Sequence, residues 1–304
     1  MTPSNATFAP NSTSLVELTS TDLLVEKLTE AETPEVIEFL AKRPIHTVAM
    51  LGLIRDNGIQ SPLNRGTFYS LRNRGGQLEG IALVGHATLM ETTTDRALQA
   101  FADVAKRCDN AHMIMGESDR VQCFWSDYQT GGQEMRLACR EFLFELQSPA
   151  AALNKIEGFR SATSDDLDLV MPVQSQMAFE ESGINPIETD PEGFRARCSR
   201  RIEQGRTWVV VENGKLIFKA DIVSETDDVV YIEGVWVNPQ SRGNNIGLRC
   251  MSQLAEILLM SKKSLCLLVN ERNTSAHDFY SKAGFEFRGV YDTIFLDKEQ
   301  GMKH

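Results

Sequence analysis

A short segment in the second half of the chain constrains the fold more than any other. Residues 235–247 read VWVNPQSRGNNIG, which predicts an apolar strand, a polar turn and then a helix. The first backbone N–H groups of a helix have no intrahelical partner, and the helix dipole favours an anion at that end. The following residues place one apolar face on this helix: Leu248, Met251, Leu254, Ala255 and Leu258. The segment therefore predicts a phosphate-binding turn between a strand and a helix.

The residues of this turn suit the close approach of a phosphate group. Gly243 and Gly247 carry no Cβ, and Arg242 adds a positive charge at the rim. Asn245 is, after glycine, among the residues that best tolerate a positive φ angle. We expect the turn and helix start to comprise Arg242, Gly243, Asn244, Asn245, Ile246 and Gly247.

A second pattern follows one helix and one strand later. Residues 267–285 read LLVNERNTSAHDFYSKAGF, which predicts a buried strand, a helix and the start of another strand. Asn273 stands where the first strand ends, and Tyr280 comes seven residues later. Seven residues are about two helical turns, so both side chains can face the same cleft.

The two segments together resemble the Gcn5-related N-acetyltransferases (GNAT). The first resembles the acyl-CoA-binding motif Q/R-x-x-G-x-G/A, with Asn245 at the position of the usual central glycine. The second matches L-x-V-x-x-x-N-x-x-A-x-x-x-Y-x-x-x-G-F at every named position. The resemblance implies an α/β (α+β) fold with a mixed, mostly antiparallel acetyltransferase-type sheet and helices on both of its faces.

The resemblance also implies a reaction, the transfer of an acetyl or other acyl group from acetyl-CoA to a primary amine by direct attack. Tyr280 is then expected to protonate the departing thiolate, and Glu233, an isolated acid in an apolar strand, is our candidate base. Glu180 and Glu181 lie where this fold usually builds its acceptor pocket. The expected acyl-CoA-binding residues are Val235, Trp236, Val237, Arg242, Gly243, Asn244, Asn245, Ile246, Gly247, Asn273 and Tyr280.

Each of these assignments has a simpler alternative. Glu233 can be an exposed strand residue, and Glu180 and Glu181 can be solvated acids at a helix end. Tyr280 can be a packed aromatic side chain without a chemical role. The whole domain can be a non-catalytic sensor that binds acyl-CoA or another metabolite on the same fold. The sequence leaves the amine acceptor and the oligomeric state open.

Composition excludes several other classes of protein. The net charge of −11 opposes binding to nucleic acid or to anionic lipid, although an acidic balance also keeps proteins in solution. No stretch approaches the about 18 apolar residues that a membrane span needs. The six cysteines form no C-x-x-C pair, and the histidines show no metal-ligand spacing. We therefore predict a cytoplasmic protein without a metal ion.

The chain is long enough for two domains. We predict a flexible tail over residues 1–21, a first domain over 22–150 and the acetyltransferase domain over 151–304. The first domain repeats the element order of the second, but its strand-to-helix junction, residues 90–95, reads METTTD with two acids and no glycine. It is predicted to be a degenerate acetyltransferase-like domain that repels phosphate. The whole chain resembles two-domain bacterial family members that carry an uncharacterised N-terminal domain.

Overall fold

The computed structural model describes residues 24–149 and 153–297, so the predicted tail and the predicted boundary between residues 150 and 151 lie outside the described residues. The strands are β1 Leu24–Lys27, β2 Gly66–Arg72, β3 Leu78–Gly85, β4 Ala87–Thr92, β5 Met113–Glu117, β6 Met135–Leu146, β7 Arg160–Ser161, β8 Thr207–Glu212, β9 Lys215–Glu225, β10 Val229–Val237, β11 Ser264–Asn270 and β12 Glu286–Leu296. The α-helices are α1 Thr33–Leu40, α2 Pro44–Asn57, α3 Asp95–Ala105, α4 Ser118–Tyr128, α5 Leu167–Ser182, α6 Pro186–Thr189, α7 Pro191–Glu203, α8 Ile246–Leu259 and α9 Thr274–Lys282.

The described strands form one sheet in the order β1-β2-β3-β4-β5-β12-β6-β11-β10-β9-β8-β7. Two neighbouring pairs, β4 with β5 and β10 with β11, are parallel, and the other pairs are antiparallel. The predicted mixed, mostly antiparallel sheet is therefore confirmed.

Helices cover both faces of this sheet in each half of the chain. In the second half, Val210 packs with α8 on one face, while its neighbour Val209 packs with α5 and α7 on the other. In the first half, Ala82 packs with α3 and α4, and Ile81 packs with α1 and α2. Successive residues of a strand point to opposite faces, so each pair of neighbours shows that the sheet is buried from both sides.

The last strand of each half lies in the other half's part of the sheet. Strand β6 pairs with β11 from Leu265↔Leu146 to Asn270↔Glu141, and it pairs on its other side with β12. Strand β12, the final strand of the described chain, pairs with β5 from Tyr291↔Glu117 to Phe295↔Met113. The two halves thus exchange their closing strands, and the exchange makes one continuous sheet.

Helix α2 of the first half also packs over strands of the second half. The Ser224 hydroxyl on β9 donates a hydrogen bond to the Val48 carbonyl at 2.7 Å, and Gly52 leaves no room for a Cβ beside Ser224. None of the helices in the described ranges is both long and apolar enough to cross a bilayer.

The strand exchange predicts how fragments behave. Residues 151–304 expressed alone would lack both β5 and β6, so β11 would expose an unpaired edge and β12 would lose both of its neighbours. Residues 133–304 would keep β6 between both partners. We expect the longer fragment to be folded and the shorter one to aggregate, as judged by far-ultraviolet circular dichroism and gel filtration. Equal solubility and equal melting temperatures for the two fragments would show that β6 is not needed.

Candidate functional site

Strands β10 and β11 begin as neighbours and then separate. They pair at only three positions, Val229↔Ser264, Val230↔Leu265 and Tyr231↔Cys266, although β10 continues to Val237 and β11 to Asn270. Beyond Tyr231, the backbone of β10 therefore has no strand partner on this side among the described residues. Such an edge can bind an amide-bearing ligand in the way that a sheet binds an added strand.

A β-bulge interrupts β10 at the same place. Glu233 lies opposite Asp221 and Trp236 lies opposite Lys219, so two residues of β10, Gly234 and Val235, face one residue of β9. Gly234 has a φ angle of +60°, which glycine adopts without strain. The bulge bends the strand immediately after Glu233, whose side chain is exposed. Burial raises the pKa of the neighbouring Tyr231, and the charge of Glu233 raises it further.

The chain leaves β10 through a turn that its own side chains hold. The Asn238 side-chain oxygen accepts a hydrogen bond from the Gln240 backbone N–H at 3.0 Å, and the Asn238 amide group donates to the Leu216 carbonyl at 3.1 Å. Arg242 donates from Nε to the Val237 carbonyl at 3.2 Å. These contacts tie the turn to the ends of β9 and β10.

Two residues with positive φ angles lead the turn into α8. Gly243 has φ +87° and Asn245 has φ +56°, so Asn245 adopts the left-handed conformation for which its side chain is suited. A Cβ on Gly243 would meet no atom within 4 Å, so backbone conformation, not space, explains this glycine. Residues 242–245 are exposed, and the helix begins at Ile246. The first N–H groups of α8 thus follow an exposed turn, as an anion site requires.

Gly247 has a different role from Gly243. It is buried, and a Cβ there would lie 2.8 Å from Val237 Cγ2 and 3.2 Å from the Phe279 ring. This glycine lets α8 approach β10 and α9 closely. A larger side chain would separate the helix start from the strand end, even without any direct contact to a ligand.

Asn273 and Tyr280 of the second motif lie at the two ends of α9. Asn273 is its N-cap and accepts hydrogen bonds from the Ala276 backbone N–H at 3.1 Å and from the Ser275 hydroxyl at 2.9 Å. Tyr280 is buried near the other end of the helix, and its ring packs edge-on against Phe279 and Phe285. Asn273 therefore fixes the start of the helix that carries Tyr280.

The Tyr280 hydroxyl is neutral and has no competing partner. Burial raises the pKa of Tyr280, so the phenol keeps its proton throughout the physiological range. Within the described ranges, the hydroxyl makes no hydrogen bond to another residue. A neutral phenol in this condition can act as a proton donor.

The charge of Glu233 affects two carboxylates on other elements. Burial, together with the charges of Glu233 and Glu141, raises the pKa of Glu181, at the end of α5, to about 8. Burial also raises the pKa of Glu141 on β6, although the Thr293 hydroxyl donates to this carboxylate at 2.9 Å. The Glu181 side chain is exposed, although enough protein surrounds it to disfavour its charge.

The structure distinguishes the two adjacent acids at the end of α5. Glu180 accepts a hydrogen bond from Gln176 of the same helix at 2.9 Å and is exposed. The charge of Glu233 contributes to the raised pKa of Glu181. Nothing in the sequence marks Glu141 as a site residue, because only the strand exchange brings β6 beside β11.

The equivalent position in the first half is closed by ion pairs. Strands β4 and β5 also pair in parallel at only three positions, from Ala87↔Met113 to Leu89↔Met115. At their ends, Arg43 contacts Glu91 at 3.1 Å and Glu117 at 2.7 Å, and Arg120 contacts the same two carboxylates at 3.2 and 3.0 Å. Glu91 is one of the two acids of the METTTD junction, and it is buried.

Comparison with known proteins identifies the domain that contains the splayed strands and the turn. Residues 174–285 match the profile of the Acetyltransferase (GNAT) family. This part of the chain is a GNAT domain. The match includes both motifs, and it ends at Phe285, the last residue of the second one.

Solved structures with the same fold extend over nearly the whole chain. A Drosophila protein covers 92% of this chain and 100% of its own at 12% identity, with a TM-score of 0.68. A GCN5-related N-acetyltransferase from Sphaerobacter thermophilus covers 93% and 98% at 13% identity, with a TM-score of 0.55. A tandem GNAT protein from the clavulanic acid biosynthesis pathway covers 90% and 98% at 12% identity, with a TM-score of 0.55.

At such low sequence identity, the structural similarity establishes the fold alone. The tandem GNAT protein agrees with a chain of two similar halves. A search of curated proteins finds no significant sequence match.

The left-handed conformation at Asn245 leads to a stability prediction. Asn245→Ala keeps a β-carbon at φ +56° but replaces asparagine, which tolerates the left-handed conformation, with alanine, which tolerates it less well, and this costs about 1 kcal/mol of unfolding free energy. Asn245→Gly removes the Cβ and should leave the unfolding free energy nearly unchanged. Chemical denaturation of both variants tests this. Equal losses in the alanine and glycine variants would mean that the side chain, not the backbone angle, matters.

Proposed function

We propose that the GNAT domain transfers an acetyl or other acyl group from acyl-CoA to a primary amine. The observation that carries the proposal is the opening of β10 and β11 beside the turn that starts α8. The free strand edge suits the amide groups of the pantetheine arm, and the turn suits the pyrophosphate. Both features belong to the family to which residues 174–285 match.

The residues proposed to bind acyl-CoA divide into two groups. Val235, Trp236 and Val237 offer the strand edge, and the turn residues from Arg242 to Gly247 offer N–H groups and one positive charge. Asn273 supports this site indirectly, because its hydrogen bonds cap α9. The left-handed turn at Asn245 supports the view that this asparagine substitutes for the usual glycine.

The proposed chemistry moves two protons. The amine nitrogen attacks the thioester carbonyl carbon, the carbon–sulfur bond breaks, and the departing sulfur takes the proton of the Tyr280 hydroxyl. The nitrogen loses its second proton as the amide forms, and this proton restores the Tyr280 hydroxyl. An ammonium has no lone pair, so a base must first remove a proton, and Glu233 is the candidate. The exposed position of Glu233, directly before the bulge on the open strand, supports this role.

The acceptor is proposed to be a cationic amine. The charge of Glu233 disfavours the ionised forms of Glu141 and Glu181, and a bound ammonium would relieve that repulsion. In this proposal, Glu141 brings the first half into the acceptor site. The ion pairs around Glu91 and Glu117 support a first half that binds no acyl-CoA itself. A cytoplasmic location stays a prediction from composition.

The first test is the release of free CoA thiol from acetyl-CoA across a panel of amines. The panel contains amino acids, peptides with a free amino terminus or lysine, polyamines and aminoglycosides. We expect turnover with at least one amine class and none without an amine. Tight binding of acetyl-CoA by calorimetry without thiol release from any amine would favour the sensor alternative.

Tyr280→Phe tests the proton donor. The change removes one hydroxyl and keeps the aromatic packing against Phe279 and Phe285, so stability and acetyl-CoA affinity should change little. Turnover should fall by about two to four orders of magnitude, which is the usual contribution of one positioned acid. Thiol release and calorimetry on the same variant separate the two effects. Full turnover would make Tyr280 a packing residue.

Glu181→Gln tests the acceptor site, with Glu180→Gln as the matched control one residue away. A trimethylammonium analogue of the best amine is the probe, because its charge does not change with pH. At a pH above 8, where the Glu181 carboxylate is ionised, Glu181→Gln should weaken its binding about tenfold, because a charge pair about 4 Å apart is worth about 1 to 4 kcal/mol between bulk water and a protein surface. Glu180→Gln should have little effect.

The pH dependence of the same measurement provides a second readout. With the pKa of Glu181 near 8, more of this carboxylate is ionised as pH rises through that value, so affinity for the cation should increase in the unaltered protein. The increase should be smaller in Glu181→Gln. Identical pH profiles for the two proteins would exclude Glu181 from the site.

A further inference from the structure

A lysine lies completely buried beneath the bulge of β10. Lys219 on β9 has no exposed surface, and its ammonium makes three contacts: Asp221 Oδ2 at 2.6 Å, Gln174 Oε1 at 2.7 Å and the Gly234 carbonyl at 3.0 Å. An ammonium has three N–H donors, and here each of them has a partner. The third partner belongs to the bulge itself.

In the network around this lysine, two cations share one buried aspartate. Burial acts to raise the pKa of Asp221, but the charges of Lys219 and Arg201 outweigh it and lower the pKa overall. Arg201 lies 3.1 Å from Asp221, and the Thr207 hydroxyl donates to the other Asp221 oxygen at 2.8 Å. The ionised aspartate therefore stays paired, and the Lys219 ammonium is held against the Gly234 carbonyl.

The bulge and the lysine fit each other closely. A Cβ on Gly234 would lie 2.8 Å from the Lys219 ammonium and 3.1 Å from Asp221 Oδ2, and the φ angle of Gly234 is positive. A shift of the Gly234 carbonyl would leave one N–H of a buried cation without an acceptor, which is strongly unfavourable. The Lys219 ammonium therefore holds β10 in its bent form at Gly234, the residue that follows Glu233.

We propose that Lys219 is a positioning residue of the acetyltransferase site, which holds the β10 bulge and thereby places Glu233 and the open strand edge. The expected effect on turnover rests on the proposed function. The structural part of the proposal, that Lys219 holds the bulge in place, does not. Displacement of reacting groups by about 1 Å can lower a rate by about a hundredfold.

Lys219→Met tests the proposal, with Thr207→Val as the matched control. Both changes remove one polar group from the same buried network, but Thr207 makes no hydrogen bond to the bulge. We expect Lys219→Met to lower turnover about a hundredfold while acetyl-CoA affinity changes less than about tenfold. Thr207→Val should lower the melting temperature without this loss of turnover. Equal turnover in the two variants would overturn the proposal.

Amide hydrogen exchange supplies a readout that does not depend on activity. Exchange at residues 233–236 should become faster in Lys219→Met than in Thr207→Val, and unchanged exchange there would overturn the proposal. If the unaltered protein neither binds acetyl-CoA nor releases thiol, the proposed function fails, while this comparison still decides whether Lys219 holds the bulge.

If Lys219→Met does not fold, Gly234→Ala is the alternative variant. It keeps the lysine and disturbs its contact with Gly234 by adding a Cβ on β10. It should show the same loss of turnover with largely retained acetyl-CoA affinity. Turnover equal to that of the unaltered protein would contradict the proposal.

Discussion

The pairing of β6 with β11 and β12 is the interaction on which the rest of the structure depends. A strand edge left unpaired exposes a row of backbone N–H and C=O groups, and these two edges lie in the middle of the sheet. Each half uses the closing strand of the other half to cover its edge. The hydrophobic clusters on the two faces can then continue across the centre of the molecule, where Leu143, Cys266 and Tyr291 pack together. Stability and the shape of the cleft are therefore linked.

The same arrangement of elements serves two purposes in the two halves. Both halves contain a parallel strand pair that separates after three residue pairs. In the second half, the strand is followed by an exposed turn with two positive φ angles and a free helix start. In the first half, Arg43 and Arg120 neutralise Glu91 and Glu117 at this position. The strand pairing is alike in the two halves, and the local charges differ.

Buried charge also shapes the proposed active site from two directions. Below the bulge, the cations Lys219 and Arg201 pair with Asp221 in a network that holds the backbone. At the proposed acceptor site, Glu141 and Glu181 have raised pKa values because burial and the charge of Glu233 disfavour their ionised forms. The first group is satisfied within the protein. The second group would be better satisfied by a bound cation, which agrees with an amine acceptor.

The sequence alone determined the family and much of the second half. Local patterns specify the strand, the turn and the helix around residues 235–247. The turn in particular can be recognised, because glycine and asparagine are the residue types that suit the positive φ angles at Gly243 and Asn245. The Asn-to-Tyr motif likewise specified α9 and its cap.

Only the tertiary structure decided which strands become neighbours. Strand pairing joins residues far apart in the chain, and nothing in the residues of β6 indicates that Glu141 will lie beside the second half's cleft. The same reason applies to Lys219, which in the sequence is only a charged residue between Phe218 and Ala220. Its function as a buried contact to Gly234 arises only when β9, β10 and α5 pack together.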